Sequence, residues 1–159
     1  MANTPGMLTS FKKELMCGSH AFGTQAANAT RTVTTKDVFY GALIKTSGTI
    51  GLTATAFSSL AGDELTASGN YPSGGIAATN TVDPSVAGGV VAYWTPSAVL
   101  TWPNLTSAVA FDCLFLYNNT STGKLGVSIH QFSTQNISGG TFTLTMPNND
   151  GTNGLIRIA

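Results

Sequence analysis

The segment SAVAFDCLFLYN, residues 107–118, decides the fold class of this chain. Apolar side chains occupy both of its alternating faces, which predicts a central β-strand that is covered on both sides. Its one charged residue, Asp112, is predicted to accept hydrogen bonds from a loop or a subunit interface. An acid or base role for Asp112 in a buried site is the alternative. One face carries Val109, Phe111, Cys113, Phe115 and Tyr117, and the other carries Ala108, Ala110, Asp112, Leu114 and Leu116.

Shorter strand patterns flank this segment on both sides. Residues 37–45 (DVFYGALIK) and 49–57 (TIGLTATAF) are predicted to form a hairpin around a Thr-Ser-Gly turn. About eight short strands separated by turns predict an all-β fold, either an antiparallel β-sandwich or a jelly roll, with a small barrel as a further alternative. The other strands are predicted near Ile76 and at residues 89–95, 98–102, 124–131, 141–146 and 155–158.

The composition supports an all-β fold and narrows the class of partner. Charged residues make up only 9% of the chain, against about 25% in a typical soluble domain, and Thr, Gly, Asn and Ser take their place. Seven basic and seven acidic residues give a formal net charge of zero, so neither nucleic acid nor a membrane surface is a predicted partner. No segment approaches about 18 continuous apolar residues, and residues 1–9 lack the pattern of a signal peptide. We therefore expect a chain that is neither membrane-spanning nor classically secreted.

The sequence divides into two predicted parts. Residues 1–36 are predicted to be an N-terminal arm with a short helix and a loop, and residues 37–159 are predicted to form the β-sandwich domain. Residues 19–36 are small and polar and show no sustained periodicity. They are therefore predicted to be a loop that becomes ordered on a partner.

The arm is predicted to contain one amphipathic helix, SFKKELMC, over residues 10–17. Thr9 or Ser10 is the predicted N-cap, and Gly18 is the predicted stop. Three apolar side chains fall at helical spacing along this helix: Leu8, Phe11 and Leu15.

No arrangement of residues in the sequence supports catalysis. A serine hydrolase of the common kind needs a Gly-x-Ser-x-Gly turn, which does not occur in the chain. His20 and His130 have no acid beside them in the sequence. Asp63 and Glu64 are adjacent, so on a strand they would point to opposite faces and could not flank a sugar together. The chain is therefore predicted to be non-enzymatic, with no catalytic residues and no cofactor.

Metal binding is not predicted either. Residues 148–153 (NNDGTN) offer oxygen ligands but lack the several carboxylates of a calcium loop, so they are predicted to form a turn. Cys17 and Cys113 have no metal-site spacing and are predicted to be small buried hydrophobic residues, with a disulfide between them as the alternative. The glycine pairs at 74–75 and 88–89 are predicted to be turns or bulges.

Several motifs carry a family resemblance over most of the chain. They are SFKKELMCGSH (10–20), NYPSGG (70–75), TWPNLTSAVAF (101–111), LYNNTSTGKLGVSIHQF (116–132) and GGTFTL (139–144). In these motifs the chain resembles a widespread group of small structural proteins of tailed-phage virions, of the capsid decoration (cement) or head-fibre type. Members of that group carry a Gly-Tyr-x-x-Gly-Gly turn, in which Asn70 here replaces the first glycine. The motifs are structural, so they indicate a scaffold more specifically than a role.

The resemblance implies a capsid decoration protein. Such a protein would be a homo-oligomer, with a trimer favoured, bound to the major capsid protein on the outer surface of a virion that is assembled in the host cytoplasm. The alternative is a tail, baseplate or fibre protein that binds host glycans through exposed Tyr71 or Trp94. Loop 60–75 is one candidate contact, and the candidate partner-contact residues are Leu8, Phe11, Leu15, His20, Phe22 and Tyr71.

Overall fold

A computed structural model describes residues 2–24, 35–96 and 99–159 of the chain. Within these residues lie one α-helix, α1 (Thr9–Met16), one 3-10 helix (Phe57–Leu60) and ten strands. The predicted all-β class with a single short N-terminal helix is therefore confirmed. The strands are β1 (Gly6–Met7), β2 (Phe39–Lys45), β3 (Ile76–Ala78), β4 (Ser85–Ala87), β5 (Val91–Trp94), β6 (Leu100–Thr106), β7 (Phe111–Asn118), β8 (Gly126–Gln135), β9 (Ser138–Leu144) and β10 (Ile156–Ile158).

The strands form an antiparallel β-sandwich. Five of them make one sheet in the order β1-β8-β7-β2-β3, three make a sheet in the order β10-β5-β4, and β6 pairs with β9. Every pairing among these strands is antiparallel. The predicted sandwich architecture is confirmed.

Strand β7 lies at the centre of the five-stranded sheet, as its two-sided apolar pattern predicted. Phe115 pairs with Ala42 of β2 on one side and with Ile129 of β8 on the other. The residues from Cys113 to Asn118 are all buried. At the start of the strand, Asp112 accepts a hydrogen bond from Nδ2 of Asn3 at 3.2 Å. The N-terminal loop thus supplies the donor that the sequence required for this carboxylate.

The predicted hairpin over residues 37–57 is wrong in its second half. β2 forms as expected, but it pairs with β7 and β3, and residues 49–56 lie outside the named strands. They run beside the N-terminal segment instead, where the carbonyls of Ile50 and Leu52 accept hydrogen bonds from the amides of Thr4 and Thr9. Both edges of β2 are already paired, so a hairpin partner has no free edge to bind. Strand β4, only three residues long, was not predicted.

The N-terminal segment packs into the sandwich from its first described residues. β1 pairs with β8, and Leu8 and Phe11 are completely buried. The predicted helix is confirmed one residue earlier than expected, but its N-cap is Leu8, without a side-chain cap, rather than Thr9 or Ser10. Gly18 follows it with a φ of 65°, as a helix stop requires. Residues 2–24 therefore belong to the same core as the strands, and most of the predicted loop, 25–34, lies outside the described residues.

The cysteines differ from expectation in one respect. Cys113 is buried as predicted, but Cys17 is exposed at the end of α1. Both thiols are free. Burial raises the pKa of the Cys113 thiol to about 12, with a smaller contribution from the charge of Asp112. Cys113 is therefore a neutral core residue, and the alternative of a disulfide is wrong for this structure.

Tyr71 closes the edge of β2 beyond the end of β3. Its hydroxyl accepts a hydrogen bond from the amide of Leu43 at 2.9 Å and donates one to Oε1 of Glu64 at 2.9 Å. The same carboxylate oxygen accepts from the amide of Gly74 at 2.6 Å, and the carbonyl of Gly74 accepts from the hydroxyl of Tyr117 at 2.8 Å. This network fastens loop 60–75 to the central sheet.

Candidate functional site

An apolar groove, the α1 groove, runs between helix α1 and the three-stranded sheet. Its volume is about 120 Å³. It is comparable in size to the cavity of about 150 Å³ that accepts a benzene ring, so one branched aliphatic side chain or most of an aromatic ring can enter it. Its lining is apolar or aromatic throughout and consists of Phe11, Leu15, Phe22, Pro84, Ala92, Tyr93, Trp94, Ile156 and Ile158.

The register of the three-stranded sheet explains why part of its apolar face is exposed to solvent beside the groove. Ile156 pairs with Trp94, and both are buried. One row further along, Ala92 pairs with both Ile158 and Val86, so these three side chains share the same face. Ile158 is 46% exposed and Val86 is 67% exposed. The face is thus covered at one end and open at the other.

The hairpin between β4 and β5 fixes this register. The amide of Val90 donates to the carbonyl of Ala87 at 3.1 Å. Gly88 and Gly89 between them have φ values of 57° and 72°. Two successive positive φ values are typical of a type I′ turn, whose twist matches that of paired strands and which favours glycine at both positions. The predicted turn at residues 88–89 is confirmed.

The floor of the groove is a cluster of stacked aromatic rings. Phe22 stacks on Phe39 with a centroid distance of 4.4 Å and meets Trp94 edge to face at 4.8 Å. Phe11 meets Phe22 edge to face at 5.9 Å. The indole N–H of Trp94 donates to Oδ1 of Asn80 and to the carbonyl of Val82, both at 3.2 Å. These contacts fix the rings in place, so the floor is preformed rather than shaped by a ligand.

His20 holds the segment that carries Phe22. Its Nε2 lies 3.0 Å from Oε2 of Glu14, and its Nδ1 lies 3.2 Å from Nδ2 of Asn118. The neutral tautomer with a proton on Nε2 satisfies both contacts. Nδ2 of Asn118 also donates to Oδ2 of Asp37, which accepts from the amide of Ala21. The acid partner of His20 is therefore Glu14 of α1, six positions earlier in the sequence. A search for acids directly beside His20 in the sequence does not find it.

A second depression, the basic shelf, adjoins the α1 groove. It encloses about 630 Å³ and shares Leu15 and Ile158 with the groove. Met16 is 85% exposed. The shelf carries two cations, and its lining is Met7, Lys12, Leu15, Met16, Arg157, Ile158 and Ala159. Groove and shelf are therefore one continuous surface with an apolar end and a positively charged end.

No family model, curated protein or solved structure matches this chain. Among residues 2–24, 35–96 and 99–159, no three His, Cys, Asp or Glu side chains come together in a way that could hold a metal ion. The helices in the same ranges are too short and too polar to cross a membrane.

The structure brings three of the six predicted contact residues to the groove. Phe11, Leu15 and Phe22 line it, and His20 lies behind them. Leu8 is completely buried beside β8, and Tyr71 is 3% exposed at the edge of β2. Neither Leu8 nor Tyr71 presents a side chain to a partner, because each fills the core of its own chain.

The suggested glycan-binding aromatics are also corrected. Trp94 is 2% exposed and Tyr71 is 3% exposed, so neither ring offers a face on which a sugar could stack. Sequence reasoning missed Ala92, Ile156 and Ile158 as groove residues. Only the pairing of β5 with β10, which joins distant parts of the chain, places them together.

A separate cleft of about 540 Å³ contains a serine and a histidine in contact. Oγ of Ser128 lies 2.7 Å from Nε2 of His130, as expected for residues two apart on one strand. Ser128 is 1% exposed, so its hydroxyl is not presented to a substrate. Burial lowers the pKa of His130 to about 4, which makes the ring a weak base. The hydrogen bond between Ser128 and His130 holds their side chains together on β8, and it does not present Ser128 as a nucleophile with His130 as its base.

The depressed pKa of His130 predicts a loss of stability in acid. The folded protein keeps His130 neutral until about pH 4, whereas the unfolded chain binds a proton near the ordinary value of 6.5. Stability is therefore full above about pH 6.5, falls by about 3 kcal/mol as the pH drops to about 4, and then levels off. Urea unfolding of the wild type and of His130→Gln at several pH values measures this. Equal pH slopes for the two proteins would contradict the assignment to His130.

Proposed function

We propose that this chain is a non-enzymatic structural protein of a tailed-phage virion, and that it decorates the outer surface of the capsid. The α1 groove carries this proposal. It is a preformed apolar surface with exposed neighbours such as Val86 and Met16, and exposed apolar patches of this kind are typical of protein–protein contacts. The phage-like sequence motifs support the same class of protein.

Attachment by this surface would add contacts to a capsid without any chemical step. Burying a side chain such as Ile158 or Val86 against a neighbour contributes about 1 to 2 kcal/mol, because each is now about half exposed or more. When many copies bind to one shell, these small binding contributions add up, and the shell would resist internal pressure better. The proposed partner is the major capsid protein, and the proposed assembly is a homo-oligomer with a trimer favoured.

Binding to purified shells that lack the protein tests the proposal. Ala92→Arg places a long charged side chain on the exposed part of the groove without touching the buried core, and we expect its occupancy on shells to fall at least about tenfold. Val109→Arg is the matched control, since Val109 is 42% exposed and does not line the groove. Occupancy is measured by co-sedimentation and by cryo-electron microscopy of the shells.

Two results would overturn the proposal. Wild-type protein that leaves shells bare but labels tails in immunogold images would place the chain in the tail. Purified protein that turns over peptidoglycan or polysaccharide while free of any particle would make it an enzyme. Equal occupancy by Ala92→Arg and Val109→Arg on decorated shells would instead move the attachment surface away from the groove.

A further inference from the structure

We propose that the α1 groove and the basic shelf together bind one extended peptide segment of the partner, with a bulky apolar side chain in the groove and a carboxylate beside it on the shelf. This inference deepens the proposed function and rests on it for the identity of the partner protein. The two depressions share Leu15 and Ile158, so a segment that fills one passes directly over the other.

The size of the groove limits what it accepts. About 120 Å³ holds one side chain of the size of leucine or phenylalanine and is too small for a helix or an acyl chain lying along it. The shelf is larger and open, so it has room for the backbone and flanking side chains of an extended segment. A single apolar anchor in a dry pocket is the common form of an interface hot spot.

The charges on the shelf determine the flanking residues of the segment. Lys12 and Arg157 both line it, and neither forms a salt bridge with any residue in the described parts of the chain. The Glu14 carboxylate on the same helix is directed to His20 instead. Ala159 also lines the shelf, but no salt bridge joins its carboxylate to either cation.

Asp150 forms no salt bridge with Arg157. Its carboxylate accepts hydrogen bonds from the amides of Thr152 and Asn153 at 2.8 and 2.7 Å and from Nδ2 of Asn153, so it is held within its own turn. These hydrogen bonds lower the pKa of Asp150, and the charge of Arg157 adds a smaller effect in the same direction. The side chains that line the shelf carry two positive charges, on Lys12 and Arg157, and no negative one, so a carboxylate of the partner complements them.

Capped tripeptides test the chemistry of the segment directly. We expect acetyl-Asp-Phe-Asp-amide to shift the NMR signals of the Trp94 indole and of the Ala92 and Ile158 amides, with binding that weakens as salt is added. Acetyl-Lys-Phe-Lys-amide and acetyl-Asp-Ala-Asp-amide are the controls for charge and for the apolar anchor. Equal shifts with the acidic and the basic peptide overturn the inference.

Charge reversal on α1 carries the test to the particle. Lys12→Glu is expected to lower occupancy on shells about tenfold, whereas Lys13→Glu, the same change one residue along the helix and outside the shelf, is expected to leave it near the wild-type level. If the two variants bind shells equally while Ala92→Arg does not, the inference is wrong and the proposed function stands. If the acidic peptide binds the groove but wild-type protein leaves shells bare, the inference stands and the proposed function is wrong.

Discussion

Gly75→Ala is expected to destabilise the folded protein by more than about 4 kcal/mol, a loss that single substitutions rarely cause. Gly75 has a φ of 73°, and a β-carbon added there would collide with the carbonyl oxygen of Gly41 and lie 2.8 Å from the α-carbon of Ala42. β2 cannot retreat from this collision, because Leu114 and Leu100 pack directly against Gly41. The loop that ends at Gly75 would have to leave the sheet.

Gly89→Ala is the matched control for this substitution. Gly89 has nearly the same φ, 72°, but nothing lies within 4 Å of an added β-carbon. Its expected loss is about 1 kcal/mol, which is the strain of a left-handed conformation alone. Urea unfolding of both variants separates the two effects, and thermal melting gives a second reading at about 3 °C per kcal/mol. Similar losses for the two variants would mean that the contact between Gly75 and Gly41 is not close.

Tyr71→Phe is expected to destabilise the protein by about 2 to 3 kcal/mol. The change keeps the ring but removes the hydroxyl that accepts from the amide of Leu43, which is completely buried. An unpaired buried donor contributes a penalty of about 1 to 3 kcal/mol, and Glu64 loses one of its two donors as well. Burial and the nearby Glu64 charge raise the pKa of Tyr71, so the hydroxyl is protonated at neutral pH and can donate to Glu64.

Tyr40→Phe removes a hydroxyl that has no hydrogen-bond partner among the described residues, although its ring also packs against Tyr117. We expect its effect to stay within about 0.5 kcal/mol. Chemical denaturation compares the two variants, and hydrogen exchange at the Leu43 amide should quicken only in Tyr71→Phe. A Leu43 amide that exchanges at the wild-type rate in Tyr71→Phe would show that another acceptor takes the place of the hydroxyl.

The parts of the fold that depend on local pattern could be predicted. The two-sided apolar run of β7 identified the central strand, and the spacing of Leu8, Phe11 and Leu15 identified α1. The predicted hairpin of residues 37–45 and 49–57 is wrong because the pattern alone does not say which edge a strand will pair with. The edge of β2 is occupied by β3 and by Tyr71, and both lie further along the chain than the predicted hairpin.

The candidate site could be predicted only in part, for a related reason. The apolar residues near the N-terminus predict Phe11, Leu15 and Phe22 as contact candidates, and all three line the groove. Nothing local in the sequence indicates that Phe22 stacks on Phe39. The opposite wall of the groove forms because Ala92 pairs with Ile158, and these two residues lie more than 60 positions apart in the sequence. The polar loop around Tyr71 predicts an exposed ring, whereas its hydroxyl accepts the hydrogen bond from the Leu43 amide on the edge of β2 that β3 leaves unpaired.

The pairing of β1 with β8 has a consequence for how the protein is made. Met7 pairs with Ser128 and Gly6 with Ile129, so the two strands lie more than 120 positions apart in the sequence. During synthesis β1 and Leu8 therefore cannot be buried until β8 has been made, and joining segments that are so far apart slows folding. Apolar surface that stays exposed during this delay favours aggregation of the unfinished chain.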